Sequence, residues 1–120
     1  MLGIDVVDID RLRDRLESVP RLEERLFTKE ERIYCRSVSD PAQSFAGTLA
    51  AKEAVIKALR LGPLVAWSSR IEIVRMPHGV PHASVRGGHG PSTEIEVSIS
   101  HDGGVAVAVA LAHAPPRLNS

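Results

Sequence analysis

Hydrophobic residues alternate with other residues at the start of the chain, recur at helical spacing through its first half, and alternate again towards its end. In residues 2–7 every second position is aliphatic, so Leu2, Ile4 and Val6 share one face and Asp5 lies on the other. The β-branched residues of this segment favour an extended backbone. The pattern predicts a first strand whose two faces differ in chemistry.

Two amphipathic helices are expected next. From Asp8, a suitable N-cap residue, apolar positions recur at helical spacing, which predicts a helix that ends near Pro20. Thr28 is followed three residues later by Glu31, the spacing of a capping box. A second helix is therefore expected from Thr28 to about Ser37.

A third and longer helix is predicted between Asp40-Pro41 and Arg60. The segment is rich in alanine, which has the highest helix propensity, and proline is favoured in the first turn. Larger apolar residues form one stripe along it: Phe45, Leu49, Ile56 and Leu59.

The second half of the chain alternates at period two and predicts an antiparallel sheet. Strands are expected at 70–75, 82–86, 94–100 and 105–111, with turns at 77–79 and 102–104 and a loop at 86–92. We predict an α+β fold in which helices pack on one face of a mostly antiparallel sheet. Residues 1–114 would form one small domain, and 115–120 a loose tail.

Composition narrows the functional classes. Fifteen basic residues balance fifteen acidic ones among 120, so no overall field attracts nucleic acid or an anionic membrane. The single cysteine, Cys35, excludes an internal disulfide, and no stretch approaches the roughly 20 apolar residues that span a membrane. We expect a soluble, cytoplasmic protein with no nucleic-acid or membrane partner.

Glu53 and Lys57 are the first candidates for chemistry. They lie four residues apart on the long helix and therefore about 40° apart around its axis. The pair suits a metal-binding carboxylate beside a phosphate-binding ammonium, but an exposed salt bridge explains the same spacing. Ala46 and Ala50 lie on the same side and leave a surface that another backbone or a ligand can approach closely.

Asp5 is unusual as a carboxylate within an apolar strand, where burial would raise its pKa without compensation. A cation is one compensating partner. The alternative places Asp5 at the end of the strand, where it would accept hydrogen bonds from backbone amides of the following helix.

Residues 98–104 bring two hydroxyls, an imidazole and a carboxylate to the end of a strand. Ser98, Ser100, His101 and Asp102 are suited to holding phosphate or accepting a proton, whereas simple hairpin-turn chemistry is the alternative. Close spacing argues against a hydrolase triad, since side chains alternate across a strand. The glycine-rich residues 87–90 do not end in Lys-Ser/Thr and are not a P-loop.

Three segments stand out together: GID at 3–5, FAGTLAAKEAVIKA at 45–58 and VSISH at 97–101. They resemble the signature segments of the holo-acyl-carrier-protein synthases, which are 4'-phosphopantetheinyl transferases. Their order and separation match the family over nearly the full chain, and residues 26–31 and 71–73 are also similar to it. The helix with Ala-Ala-Lys-Glu-Ala-x-x-Lys is the most specific part.

The resemblance implies that Mg²⁺ binds to Asp5 and Glu53, and that Lys57 contacts a phosphate of coenzyme A. It implies that the strand from Ser98 through Ser100 to His101 lines the coenzyme site, and that His101 and Asp102 contribute to turnover. It further implies a homotrimer with active sites between subunits. The first helix would dock an apo-acyl carrier protein through Arg11, with Arg15 on the same side of that helix.

Two positions depart from the family pattern. Thr48 stands where many members have arginine, so one phosphate contact is lost or supplied elsewhere. The segment 58–63 differs from the common Gly-Thr-Gly form, and Arg60 is a candidate for the missing contact.

The reaction implied is transfer of phosphopantetheine from coenzyme A to a carrier serine, and it needs a proton acceptor for that serine. Glu53 or a water at the metal is ranked ahead of His101 supported by Asp102. Two other classes remain open: a metal-dependent phosphoesterase that uses the same carboxylates, and a non-catalytic module that binds coenzyme A or a partner helix.

Overall fold

The computed structural model describes residues 1–75, 80–87 and 94–113. Its centre is a five-stranded antiparallel sheet with strand order β1-β5-β4-β3-β2, and helices pack on one face. The predicted α+β class is confirmed. Along the chain the elements are β1 (Leu2–Asp8), α1 (Ile9–Ser18), α2 (Leu22–Leu26), α3 (Lys29–Ser37), α4 (Pro41–Leu59), α5 (Leu64–Trp67), β2 (Ile71–Val74), β3 (His82–Val85), β4 (Glu94–Asp102) and β5 (Val105–His113).

The predicted helix boundaries are close to those observed, but two short helices were not predicted. Asp8 caps α1, since its carboxylate accepts from the Arg11 amide at 2.9 Å. Thr28 and Glu31 form the predicted capping box of α3. α2 and α5 span five and four residues, too few for apolar periodicity to appear in the sequence.

The β4–β5 hairpin turns at Gly103 and Gly104, where φ is 57° and 83°. Two consecutive positive φ angles are typical of a type I' turn, which glycine adopts without steric cost. Asp102 pairs with Val105, so it is both the last residue of β4 and the first residue of this four-residue turn, which agrees with the predicted turn at 102–104. The expected turn at 77–79, most of the loop at 86–92 and the tail at 115–120 lie outside the described residues.

α4 packs across β1, β5 and β4, most closely on the edge strand β1 and its neighbour β5. Its first turn has Pro41 behind the N-cap Asp40, and it ends at Arg60 in the left-handed conformation, as a C-cap. The face against the sheet is formed mainly by alanines, so the small-residue surface predicted near Glu53 covers the protein's own strands. The fully buried alanines of α4 are Ala46, Ala50, Ala51 and Ala54.

Gly3 allows α4 to lie directly on β1. A Cβ at this position would overlap the carbonyl oxygen of Ala54 and lie 2.8 Å from the amide nitrogen of Ala58. Both atoms belong to helix backbone, which cannot rotate away as a side chain can. Gly3 therefore sets the distance between the strand that carries Asp5 and the helix that carries Glu53.

Gly3→Ala is expected to lower the free energy of unfolding by about 1–3 kcal/mol, since one methyl group must displace α4 from β1. Urea unfolding followed by circular dichroism measures the change. Ser84→Ala, at an exposed strand position, is the matched control and should change stability by less than about 0.5 kcal/mol. An unchanged Gly3→Ala midpoint would show that the strand and helix separate freely.

A buried ion pair joins the outer helices to α4. Lys52 is 0% exposed, and its Nζ lies 2.6 Å from Glu31 Oε1 while donating to the carbonyls of Leu26 and Ser68. Burial raises the pKa of Glu31 and lowers the pKa of Lys52, and the opposite charge of each partner opposes that shift. The lysine of the Ala-Ala-Lys-Glu sequence is thus structural.

The sheet face away from α4 is apolar and uncovered in the single chain. Leu2, Ile4 and Val6 are 67%, 56% and 55% exposed, and they pair in register with Leu111, Val109 and Val107 of β5. The predicted alternation of β1 is therefore confirmed, while its aliphatic side is the one facing outwards. No helix among the described residues has the length and apolar character to cross a bilayer.

Candidate active site

Asp5, Glu53 and Lys57 meet where α4 crosses β1. Asp5 lies in the middle of β1, paired with Ala108, and shares the helix-facing side with the buried Gly3. Lys57 Nζ donates to Asp5 Oδ1 at 2.9 Å and to the carbonyl of Ile4 at 3.1 Å. Glu53 lies one turn earlier on the same side of α4. The structure thus joins residues separated by about fifty positions.

The alternative reading of Asp5, as a cap at the end of the strand, is wrong. Asp8 supplies the cap of α1, whereas Asp5 accepts its hydrogen bond from a side chain of α4. The alternative explanation of the Glu53–Lys57 spacing, an exposed salt bridge between the two, is also wrong. The ion-pair partner of Lys57 is Asp5. Glu53 is left beside this pair without a salt bridge among the described residues.

Electrostatics at this cluster favour an additional cation. Burial raises the pKa of Glu53, the charge of Asp5 raises it further, and Lys57 opposes the shift. Lys57 has a raised pKa because Asp5 accepts its hydrogen bond. Since one ammonium does not offset two neighbouring carboxylates, a divalent cation bound there would stabilise the ionised form of Glu53.

The donor set fits Mg²⁺, which binds carboxylate oxygens and retains several waters or phosphate oxygens. Asp5 and Glu53 would supply the protein ligands. Within 1–75, 80–87 and 94–113 there is no group of three or more His, Cys, Asp or Glu residues arranged to hold a metal. The remaining ligands would therefore come from solvent and substrate.

His101 faces a different pocket, which adjoins the N-terminal half of α4 rather than the part that carries Glu53 and Lys57. It shares the helix-facing side of the sheet with Ala106, its register partner, and lines a pocket of about 400 Å³. β5 lies between β1 and β4, so these two strands are roughly 10 Å apart. Other residues lining this pocket include Tyr34, Asp40, Gln43, Ser44, Gly47, Arg75 and Ile99, but none of the Asp5 cluster.

The strand that carries His101 divides its predicted site residues between two faces. Ser98, Ser100 and Asp102 alternate with it and point to the outer face, because successive strand residues project in opposite directions. Asp102 therefore does not support the His101 imidazole within one chain. A ligand that contacts both His101 and the serines must reach both sides of β4 or lie at an edge shared with another copy.

Arg75 is a pocket residue that the sequence analysis did not identify. Its guanidinium donates to Ser44 Oγ at 2.8 Å and lies 5.0 Å from the centre of the Tyr34 ring. The only sequence signal is a basic residue directly after β2.

The two positions that depart from the family pattern lie apart from each other. Thr48 is buried and hydrogen-bonded to Ser44, and Arg60 is exposed at the far end of α4.

The arginines of α1 also differ in their surroundings. Arg13 points away from the other two and pairs with Asp40 at 3.1 Å. Arg11 and Arg15 are exposed, and neither pairs with a carboxylate in the described part of the chain. Two unpaired cations thus share one side of the helix, as the spacing predicted.

Comparison with known proteins identifies the family of this chain. A family model described as the 4'-phosphopantetheinyl transferase superfamily matches residues 1–110. A holo-[acyl-carrier-protein] synthase from Beutenbergia cavernae is 41% identical over 118 residues, covering 92% of this chain and 95% of the relative. Another from Chlamydia pneumoniae is 39% identical over 119 residues and covers 92% and 94%.

The fold is also found among solved structures. The Helicobacter pylori holo-[acyl-carrier-protein] synthase in complex with coenzyme A superimposes with a TM-score of 0.76 at 28% identity. The match covers 94% of this chain and 100% of the other. The similarity therefore extends over nearly the whole chain.

Proposed function

This chain belongs to the 4'-phosphopantetheinyl transferase superfamily, and we propose that it is a holo-[acyl-carrier-protein] synthase. It transfers 4'-phosphopantetheine from coenzyme A to a serine of an apo-acyl carrier protein and releases adenosine 3',5'-bisphosphate. The observation that carries the proposal is the meeting of Asp5, Glu53 and Lys57 at the crossing of α4 and β1. A cytoplasmic location is part of the proposal.

The reaction forms a bond between the serine oxygen and the phosphorus next to pantetheine, and breaks the bond from that phosphorus to the bridging oxygen. Lys57 lies beside the carboxylates and its side chain is half exposed, so its ammonium can also bind a non-bridging phosphate oxygen of coenzyme A and stabilise the charge there. Mg²⁺ held by Asp5 and Glu53 would supply further neutralisation of the pyrophosphate.

Glu53 is the favoured acceptor of the serine proton. Burial and the charge of Asp5 raise its pKa in the metal-free chain, a shift that a bound cation would oppose. Its carboxylate has no ion-pair partner among the described residues, so it is available to accept a proton. His101 lines a pocket that includes none of the three cluster residues. In this mechanism the imidazole serves substrate binding rather than proton transfer at the same chain's carboxylates.

The assembly we propose is a homotrimer with active sites between subunits. The uncovered face of Leu2, Ile4 and Val6 offers an apolar surface for another copy, and Ser98 and Ser100 point to that side of the sheet. The carboxylate cluster of one subunit would then act with the His101 pocket of its neighbour.

Mixing inactive variants tests the shared site. Glu53→Gln and His101→Ala subunits, each impaired alone, should regain activity when unfolded and refolded together, since some interfaces then combine two intact halves. Light scattering gives the oligomeric state. A fully active monomer, or a mixture no more active than its components, would contradict the shared site.

The decisive test of the function is intact-mass analysis of an apo-acyl carrier protein incubated with coenzyme A and Mg²⁺. A gain of the phosphopantetheine mass is expected, with none when the acceptor serine is replaced by alanine. Free phosphopantetheine with an unmodified carrier would indicate a phosphoesterase instead. Binding of coenzyme A without turnover of any carrier would indicate a non-catalytic module.

The carrier-docking surface we propose on α1 centres on Arg11 and Arg15. Arg11→Ala should raise KM for the carrier protein about two- to fivefold while leaving KM for coenzyme A unchanged, because exposed charge pairs are weak and act mainly on encounter. Lys29→Ala, an exposed cation on α3, is the control. The wild-type advantage should shrink in high salt. Equal effects on both substrates would argue against docking.

A further inference from the structure

Arg13 ties α1 to the beginning of α4. Its Nη1 donates to Asp40 Oδ1 at 3.1 Å and its Nη2 to Asp40 Oδ2 at 3.4 Å, the two-pronged contact of a guanidinium with a carboxylate. Asp40 is the N-cap of α4, since its carboxylate also accepts from the Gln43 amide. The ion pair therefore joins the helix proposed to dock the carrier to the helix that carries Glu53 and Lys57.

Asp40 and Arg75 bring opposite charges to the pocket that His101 lines. Among the described residues around this volume of about 400 Å³ they are the one carboxylate and the one guanidinium, and Arg13 is not part of the lining. Arg75 has no carboxylate within ion-pair distance in the part of the chain that the structure describes. The two lining charges alone would cancel, whereas Arg13 paired with Asp40 leaves the pocket wall with one net positive charge.

Arg13 offsets the charge of Asp40 from outside the pocket. Its hydrogen bond lowers the pKa of Asp40, so this carboxylate is ionised at neutral pH and its charge can be offset only by a cation. Asp10 lies 3.6 Å from Arg13 Nε, but its side chain is 86% exposed and water screens it. The side chains of Arg13 and Asp40 are 41% and 40% exposed, so their charges are less fully screened. Removing Arg13 therefore changes the charge that a ligand meets in the pocket.

Coenzyme A is a polyanion, and under the proposed function part of it occupies this pocket. A carboxylate on the pocket wall repels such a ligand unless a cation offsets its charge. We propose that Arg13 is a positioning residue for the donor substrate: by pairing with Asp40 it prevents the pocket wall from repelling coenzyme A, although it lies on the helix proposed to dock the carrier. The inference rests on the proposed function for the identity of the anion.

Calorimetric titration with coenzyme A, without any carrier, tests this assignment in the absence of turnover. Arg13→Gln should raise Kd about two- to tenfold, the range for one unit charge acting on a partly screened anion. Asp40→Asn keeps a good N-cap residue and should bind coenzyme A at least as tightly as the wild type. The double variant Arg13→Gln/Asp40→Asn lacks the ion pair altogether, yet it should recover wild-type affinity, because the repelling carboxylate is gone.

The double variant separates the charge of Arg13 from any support it gives to the fold. If Arg13 only held α1 against α4, removing both partners would be no better for binding than removing Arg13 alone. Arg32→Gln is the matched control, since Arg32 is also half-buried and pairs with Glu23, and neither residue lines the pocket. This control should bind coenzyme A as the wild type does. High salt should shrink the effect of Arg13→Gln, because screening weakens the repulsion.

Steady-state kinetics show which substrate Arg13 serves. Arg13→Gln should raise KM for coenzyme A and change KM for the carrier by less than about twofold, whereas Arg11→Gln should show the opposite pattern. Wild-type affinity for coenzyme A in Arg13→Gln, a double variant as weak as Arg13→Gln, or an effect on the carrier alone would overturn the assignment. If no carrier is modified but coenzyme A affinity follows the expected pattern, the proposed function fails while the role of Arg13 stands.

Discussion

Replacing Glu53 with glutamine is expected to lower kcat/KM for carrier modification by about a thousandfold, because it removes a metal ligand and the favoured base while keeping the shape of the side chain. Mn²⁺ binding to the variant, measured by calorimetry, should weaken in parallel. Asp5→Asn should also weaken it, since the second carboxylate of the cluster comes from β1.

The fold of the Glu53→Gln variant should be intact, since this carboxylate has no salt bridge among the described residues. Glu30→Gln, an exposed position on α3, is the matched control and should retain full activity. Full activity of Glu53→Gln, or metal affinity equal to that of the wild type, would remove Asp5 and Glu53 as the magnesium site.

Lys52→Met is expected to lower the free energy of unfolding by about 3–5 kcal/mol, because it leaves the Glu31 carboxylate buried without its counter-ion. It also removes the donor of the Leu26 and Ser68 carbonyls. Urea unfolding at fixed protein concentration measures the loss, which keeps any association between chains constant.

The loss should depend on pH. Without Lys52, burial keeps the pKa of Glu31 raised in the folded state, and only the backbone amides of Thr28 and Ile73 oppose that shift. A raised carboxyl pKa gives stability that is present below the unfolded pKa and is lost as pH rises through the folded one. The free energy of unfolding that Lys52→Met loses relative to the wild type should therefore grow from pH 5 to pH 7.5.

A double variant separates charge from packing. Lys52→Met combined with Glu31→Gln removes both charges and should be more stable at neutral pH than Lys52→Met alone, since no uncompensated ion stays buried. If the double variant is no better, or if Lys52→Met costs less than about 1 kcal/mol, the ion pair does not hold the outer helices to α4.

Most of the regular structure could be predicted from the sequence, because the signals are local. Asp8 and Thr28 cap the helices that follow them, and the alanines between Pro41 and Arg60 give one long helix. Period-two alternation gave the strands of the antiparallel sheet. The short helices α2 and α5 were not found, since four or five residues are too few to show a period.

The candidate site was found only in part. The alternation of β1 predicted the direction of Asp5, and helical spacing placed Glu53 beside Lys57. The family resemblance, rather than either pattern, connected them. Arg75 carried no comparable signal, because an arginine after a strand is usually exposed, and its lack of an acidic partner depends on what packs around it.

The sequence by itself determined the three longer helices, the strands and the side of each of these elements on which a residue lies, since these depend on neighbours within one or two turns. Tertiary structure decided which faces meet. Gly3 lets α4 lie on β1, so that Asp5 meets Lys57 while Lys52 is buried against Glu31. Tertiary structure also placed His101 in a pocket that contains none of these carboxylates. These outcomes depend on the packing of distant segments, which local periodicity does not encode.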